Sequence, residues 1–275
     1  MDVWNTVTVE AGGGGFVIHG EGREELPAGP ANLVYRAFLL PFLKTGGVAP
    51  EVGVACHNAV PLARGLGSSS AAIVAGLMAG NELCDQPISR QGLVELAAET
   101  EGHPDNVAPA LLGGCQIVVA DGPRVVTASV PIPPDLNTVL FIPDTPMPTD
   151  EARSILPDTV PREDAVYNMG RVALLVRALA TGDFTDLALA TQDRLHQPAR
   201  QGIFPAMKTI FRSALAAGAL GVFLSGAGST VLALTRGREM TVGYEMAEAA
   251  SKSGVGGEFR VTRPTEQGAQ VVEGG

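Results

Sequence analysis

Hydrophobic and polar positions alternate from the first residues. Val3, Val7 and Val9 stand among polar neighbours, a pattern that predicts a strand. Gly12 to Gly15 then reads as a loose turn before a second strand-like stretch. From Ala31 to Leu43 the apolar Leu33, Ala37 and Leu40 recur at helical spacing, and Val52, Val54 and Cys56 alternate across Glu51 to Asn58 as a further strand. Pro61 to Ser70 is a Gly/Ser-rich turn, and the small residues from Ala71 to Leu83 predict a helix that packs closely. Ser89 stands where it caps a helix over Gln91 to Glu101, with Leu93, Leu96, Ala97 and Thr100 on one face.

Asp121 to Asn137 is rich in Pro and Asp, including Pro131, Pro133 and Pro134, and reads as the region of a domain boundary between 1–135 and 136–275. A strand over Thr138 to Ile142, a loop over Pro143 to Pro148 and helical material to about Gly218 follow. Gly221 to Leu224 and Thr230 to Leu234 are short strands around a second glycine loop. Strands and helices mix without strict βαβ alternation, so the expected class is α+β.

Composition narrows the functions. At 275 residues and 45% hydrophobic, the chain can bury one large or two moderate cores. A net charge of −10 argues against nucleic acid, which needs clustered Lys and Arg. No apolar run approaches the ~18 residues of a bilayer span. The N-terminus lacks a signal-peptide pattern, and Cys56, Cys84 and Cys115 form no C-x-x-C pair, so a cytoplasmic protein with reduced thiols is expected. An acidic protein that binds a phosphorylated ligand must build its positive site locally, from backbone N–H groups, a few Arg and a metal.

Pro61-Leu62-Ala63-Arg64-Gly65-Leu66-Gly67-Ser68-Ser69-Ser70, with Ala71 opening the helix, has that chemistry. Glycines let the backbone approach an anion, and the following helix offers unpaired N–H groups at its positive end. It is neither a Walker A loop, because no Lys follows Gly67, nor a dinucleotide fingerprint, because the third glycine is missing. Glycines and serines alone fit a capped turn equally well. The second constellation is Glu101-Gly102-His103-Pro104-Asp105-Asn106, followed by Ala108-Pro109-Ala110 and Gly113-Gly114. Pro104 stops the preceding helix, and each polar residue alone fits a helix cap.

The order Pro-x-x-x-Gly-Leu-Gly-Ser-Ser before a small-residue helix resembles the phosphate motif of the GHMP kinases. The E-G-H-P-D-N string is similar to that of the homoserine kinases within that superfamily. Ala63 and Ser70 depart from the family, where Gly and Ala are more usual. The resemblance implies a two-domain GHMP kinase fold, with a ribosomal-protein-S5-like N-terminal domain and a ferredoxin-like C-terminal one. It implies ATP and Mg²⁺ as cofactors and L-homoserine as substrate, in threonine biosynthesis. Neither nucleic acid nor membrane is implied, and a homodimer is left open.

Residue by residue, the resemblance puts Asn106 and Asp105 beside the phosphorylated hydroxyl, with His103 shaping the loop and the general base unassigned. Glu95, eight residues before His103, matches the family's Mg²⁺ ligand and is paired with Ser69. Asn32 falls in a nucleotide-contacting region. Thr149 and Arg153, ahead of Ile155-Leu156-Pro157, match a substrate segment. Arg200, in Asp193-Arg194-Leu195-His196-Gln197-Pro198-Ala199-Arg200, matches a second carboxylate ligand. Gly226 and Gly228, in Leu224-Ser225-Gly226-Ala227-Gly228-Ser229-Thr230, match the third family motif.

Two other readings compete: a GHMP kinase for another small alcohol, and a nucleotide-binding but catalytically silent homologue. The resemblance starts at Asp2, on the strand that follows the family's opening P-A-[ST]-[ST]-A-N-L-G-P-G-F-D segment. That suggests a start placed late, with weak or no activity expected of the 275-residue chain and more from one extended upstream.

Overall fold

The opening alternation becomes a sheet. In the computed structural model, which describes residues 1–272 without the side chains of residues 149 and 150, β1 (Thr6–Ala11) and β2 (Phe16–Gly20) lead through α1 (Leu33–Thr45) to β3 (Val52–Asn58). β3 lies in the middle, antiparallel to β1 and parallel to β2. A parallel pair cannot close through a tight turn, hence the helical crossover between β2 and β3. Ile18, Val52, Val54 and Cys56 are buried with Val34, Phe38 and Phe42 of α1.

The small-residue stretch is α2 (Ser68–Glu82), and its composition has a steric cause. A Cβ at Gly76 would lie 2.2 Å from the Val34 carbonyl oxygen, and one at Gly80 2.1 Å from that of Phe38. α1 and α2 therefore meet at backbone distance, which no larger side chain permits. α3 (Arg90–Glu101) begins at the predicted cap, where the Ser89 hydroxyl accepts the Gly92 N–H at 3.2 Å. It buries Leu93, Val94, Leu96 and Ala97. α4 (Val107–Leu112) and the two-stranded sheet of β4 (Cys115–Asp121) and β5 (Arg124–Val130) follow.

Within the stretch expected to mark a boundary, Arg124–Val130 is strand β5, and the three prolines come after it. The Gly113-Gly114 pair also has a structural explanation. The C-terminal segment passes against it: Gly114 N–H donates to the Thr265 carbonyl at 2.9 Å, and a Cβ at Gly113 would stand 2.2 Å from the Glu266 carbonyl oxygen.

After the prolines come β6 (Asn137–Pro143), α5 (Thr149–Ser154), α6 (Arg162–Thr181), α7 (Leu187–Ala190), α8 (Gln197–Arg200) and α9 (Met207–Ala216). β7 (Gly221–Leu224), β8 (Val231–Thr235), α10 (Glu239–Lys252) and β9 (Gly257–Thr262) complete this part. The four strands form an antiparallel sheet in the order β7-β8-β6-β9. With helices between β6 and β7 and between β8 and β9, this is the β-α-β-β-α-β ferredoxin-like arrangement. Val139, Phe141, Val231 and Ala233 of the sheet share a core with Ile210 of α9 and Met246 of α10.

The chain divides into two compact units. The first holds Val3–Leu62, Gly67–Ser129 and the segment from Thr265; the second holds Met1–Asp2, Ala63–Leu66 and Val130–Pro264. The glycine-serine loop is therefore divided, with Ala63–Leu66 packed in the second unit and the serines in the first. Among the described residues no helix is long and apolar enough to cross a membrane.

Candidate active site

In the first unit the site residues gather at the head of α2. Gly67, at φ 76, takes the N-cap position, and the first closed turn is the Ala71 N–H donating to the Gly67 carbonyl at 2.9 Å. The N–H groups ahead of it lack intrahelical acceptors by geometry, so they and the helix dipole favour an anion. No serine side chain caps α2. Instead Ser69 Oγ donates to Glu101 Oε1 at 2.5 Å and Ser70 Oγ donates to the same oxygen at 3.1 Å. The Glu101 side chain is only 9% exposed, and His103 Nε2 lies 3.9 Å from that oxygen.

Glu95, expected beside Ser69, is bonded within its own helix. Its carboxylate accepts from Gln91 Nε2 at 3.0 Å, and the same amide donates to the Val125 carbonyl at 2.7 Å. Six residues turn a helix by roughly 600°, so the side chains of Glu95 and Glu101 leave α3 in different directions. The acidic partner of the serines is Glu101, which heads the E-G-H-P-D-N string.

His103 Nδ1 pairs with the Asp105 carboxylate, whose side chain is 69% exposed. Asn106 stands at the N-cap of α4 without a capping side-chain bond. Asn32, expected near the nucleotide, is buried and its amide has a structural role. It accepts the Val34 N–H at 2.9 Å as the cap of α1 and donates to the Pro27 carbonyl at 2.8 Å. Pro61 and Leu62 remain with the first unit.

In the second unit, Ala63–Leu66 is held through its carbonyls. The Met147 N–H donates to the Ala63 carbonyl at 2.9 Å, the Thr230 N–H to that of Arg64 at 3.1 Å, and Ser225 Oγ to that of Gly65 at 2.8 Å. Arg64 in turn donates from Nε to the Pro143 carbonyl at 2.7 Å and from Nη2 to that of Asp144 at 2.5 Å. Gly65 cannot be replaced, because a Cβ there would stand 2.0 Å from the Ser225 carbonyl oxygen. Ala63 adopts φ 50, the left-handed conformation, which accounts for glycine being usual at this position in the family.

The third glycine loop is also tied to Arg200 of α8, expected to meet the substrate. Arg200, 7% exposed, donates from Nη1 to the Gly226 carbonyl at 3.0 Å and from Nε to the Ala152 carbonyl at 3.3 Å. Burial lowers its pKa, the Asp193 charge opposes that, and the charge of Arg153 adds to it. Arg153 is therefore near enough for two like charges to repel, an arrangement that an anion between them would relieve. Gly226 and Gly228 take φ 52 and φ 98. The side chain of Thr149 lies outside the described residues.

Asp193 was not singled out in the sequence, although it heads the segment that ends at Arg200. Burial pushes its carboxyl up, but hydrogen bonds from Asn168 and from the N–H groups of Gln197, His196 and Leu195 outweigh this and hold it below the ordinary value. Those bonds fix the turn into α8, and Gln197 Oε1 then accepts the Leu224 N–H at 2.8 Å, tying α8 to the glycine loop.

The family model for the N-terminal domain of the GHMP kinases matches residues 32–114, and that for their C-terminal domain matches residues 175–252. The chain belongs to the GHMP kinases. It is 43% identical to a homoserine kinase of Moorella thermoacetica over 94% of this chain and 87% of the relative. It is 47% identical to one of Gloeobacter violaceus over 78% and 72%. The crystal structure of homoserine kinase from Cytophaga hutchinsonii superposes with a TM-score of 0.85 at 29% identity, covering 98% of this chain and 88% of that one. A mevalonate kinase of L. major, at 16% identity and a TM-score of 0.64, shares the fold. Among the GHMP kinases, this chain is a member of the homoserine kinase family.

Proposed function

We propose that this chain transfers the γ-phosphoryl group of ATP to the side-chain hydroxyl of L-homoserine, in the cytoplasm, as a step of threonine biosynthesis. The observation that carries the substrate is the buried Arg200, whose Nε donates to the carbonyl of Ala152, the residue next to Arg153. A carboxylate answers both charges, and guanidinium forks hold carboxylates in a fixed plane. Mevalonate also bears a carboxylate, so the E-G-H-P-D-N string is what favours homoserine over it.

The glycine-serine loop would take the triphosphate, through N–H groups that need no side-chain charge. Ser69, Ser70 and Glu101 form an all-oxygen set of one carboxylate and two hydroxyls. This fits Mg²⁺, which is commonly held by one or two carboxylates together with phosphate oxygens and water. When bound, Mg²⁺ would neutralise phosphate charge. Glu101 thus takes the role first expected of Glu95. Asn106 would orient the acceptor hydroxyl, and His103 with Asp105 would keep that loop in shape. Phosphoryl transfer passes through a loose transition state, so positioning and charge neutralisation carry most of the catalysis.

The test is ADP release with Mg·ATP and a panel of homoserine, threonine, serine and mevalonate. Turnover is expected with homoserine above the others. Turnover of mevalonate with none of homoserine would overturn the substrate, and no ADP from any alcohol would favour a silent homologue.

A further inference from the structure

The bonds around the third glycine loop form one connected series. Arg200 Nη1 donates to the Gly226 carbonyl; the adjacent residue, Ser225, donates its hydroxyl to the Gly65 carbonyl; and the Arg64 carbonyl accepts from Thr230 at the far end of the same loop. The loop closes on itself as well, with the Ser225 N–H donating to the Thr230 carbonyl and the Gly228 N–H to that of Ser225, both at 2.9 Å. Ser229 Oγ donates to the Thr145 carbonyl at 2.9 Å, in the segment Pro143–Met147 that also holds Ala63 and Arg64.

We propose that Ser225 is a positioning residue that couples the two substrates, so that homoserine at Arg200 tightens nucleotide binding at the glycine-serine loop, and the reverse. This rests on the substrate reading above. A carboxylate on Arg200 restrains the guanidinium and, through it, Gly226. Gly226 and Gly228 have no side chains to anchor them, so the loop is fixed by its polar ties. Restraint at Gly226 therefore passes to Ser225, and from its hydroxyl to the backbone that cradles phosphate. The first ligand bears the cost of ordering the loop, and the second binds to a loop already ordered. Such coupling is reciprocal by thermodynamic necessity, and typical factors run from about 5-fold to about 150-fold.

Isothermal titration calorimetry on the full chain measures it. Homoserine is titrated with and without saturating Mg·AMP-PNP, and Mg·AMP-PNP with and without homoserine. The wild type should show the same factor, about 5-fold or more, in both directions. S225A should bring that factor towards one while each ligand alone still binds, and S225T, which keeps the hydroxyl, should restore it. Thermal melts of each variant show that the fold is intact.

A wild-type factor of one, or an S225A factor equal to that of the wild type, overturns the coupling. S225T behaving as S225A would show a packing effect, and that also overturns it. R153A tests the substrate reading separately, from homoserine binding alone. If R153A binds homoserine as the wild type does, the substrate reading fails and takes the coupling with it. If R153A binds it far more weakly while S225A leaves the factor unchanged, only the coupling fails.

Discussion

The two units gather opposite charges. At the head of α2 in the first unit, the grouped side chains are hydroxyls, a histidine and carboxylates: Ser69, Ser70, His103, Glu101 and Asp105. Around the third glycine loop of the second unit they are two arginines, Arg153 and Arg200, of which Arg200 is nearly buried. The first group has oxygen lone pairs to offer a cation, and its helix N–H groups face an anion. The second offers guanidinium donors, while the nearby Asp193 carboxylate is taken up by the turn into α8. An overall net charge of −10 conceals this separation. Binding sites follow local charge, and the average over a chain says little about them.

The sharpest way to break the comparison is at Glu101. E101Q keeps the shape and removes the charge, and kcat for homoserine should fall by about 100-fold, the scale of losing one group that stabilises a transition state. E95Q should stay within about 2-fold of the wild type, as surface changes usually do. Steady-state ADP release measures both. If E95Q were the damaging change, Glu101 would be only a helix-end carboxylate bonded to serines.

The next effect belongs to the second unit. R153A removes a charged donor and should raise KM for homoserine by about 10- to 100-fold, the equivalent of one charge-assisted hydrogen bond. KM for ATP should change much less. A rise confined to ATP would mean that the arginines serve phosphate and would erase the contrast between the units.

The smallest effect is at the junction of the loop. A63G removes the Cβ from a left-handed residue and should stabilise the protein by roughly 1 kcal/mol, less the extra chain entropy of glycine. Chemical denaturation measures it. A destabilised A63G would show that the conformation of Ala63 is not strained.

Much of the site was legible because it is local. The glycine-serine loop, the helix after it, the Ser89 cap and the E-G-H-P-D-N string are each set by neighbours within a few residues. The small residues of α2 announced close packing, and the backbone of α1 proved to be what they face, at Gly76 and Gly80. For Asn32 the structure adds a local role, since its amide caps α1 and bonds the Pro27 carbonyl.

The sequence by itself determined the elements, the family and the loop chemistry, since period, cap and motif are properties of short stretches. Only the tertiary structure decided which glutamate meets the serines. That depends on which face of α3 its apolar residues bury, and burial is settled by partners distant in the chain. The tertiary structure likewise brought Ser225 onto Gly65, residues 160 apart in sequence, and assigned Ala63–Leu66 of the glycine-serine loop to the other unit. No local pattern encodes such contacts. They form when the hydrophobic cores close and the leftover carbonyls of a tight loop must find donors.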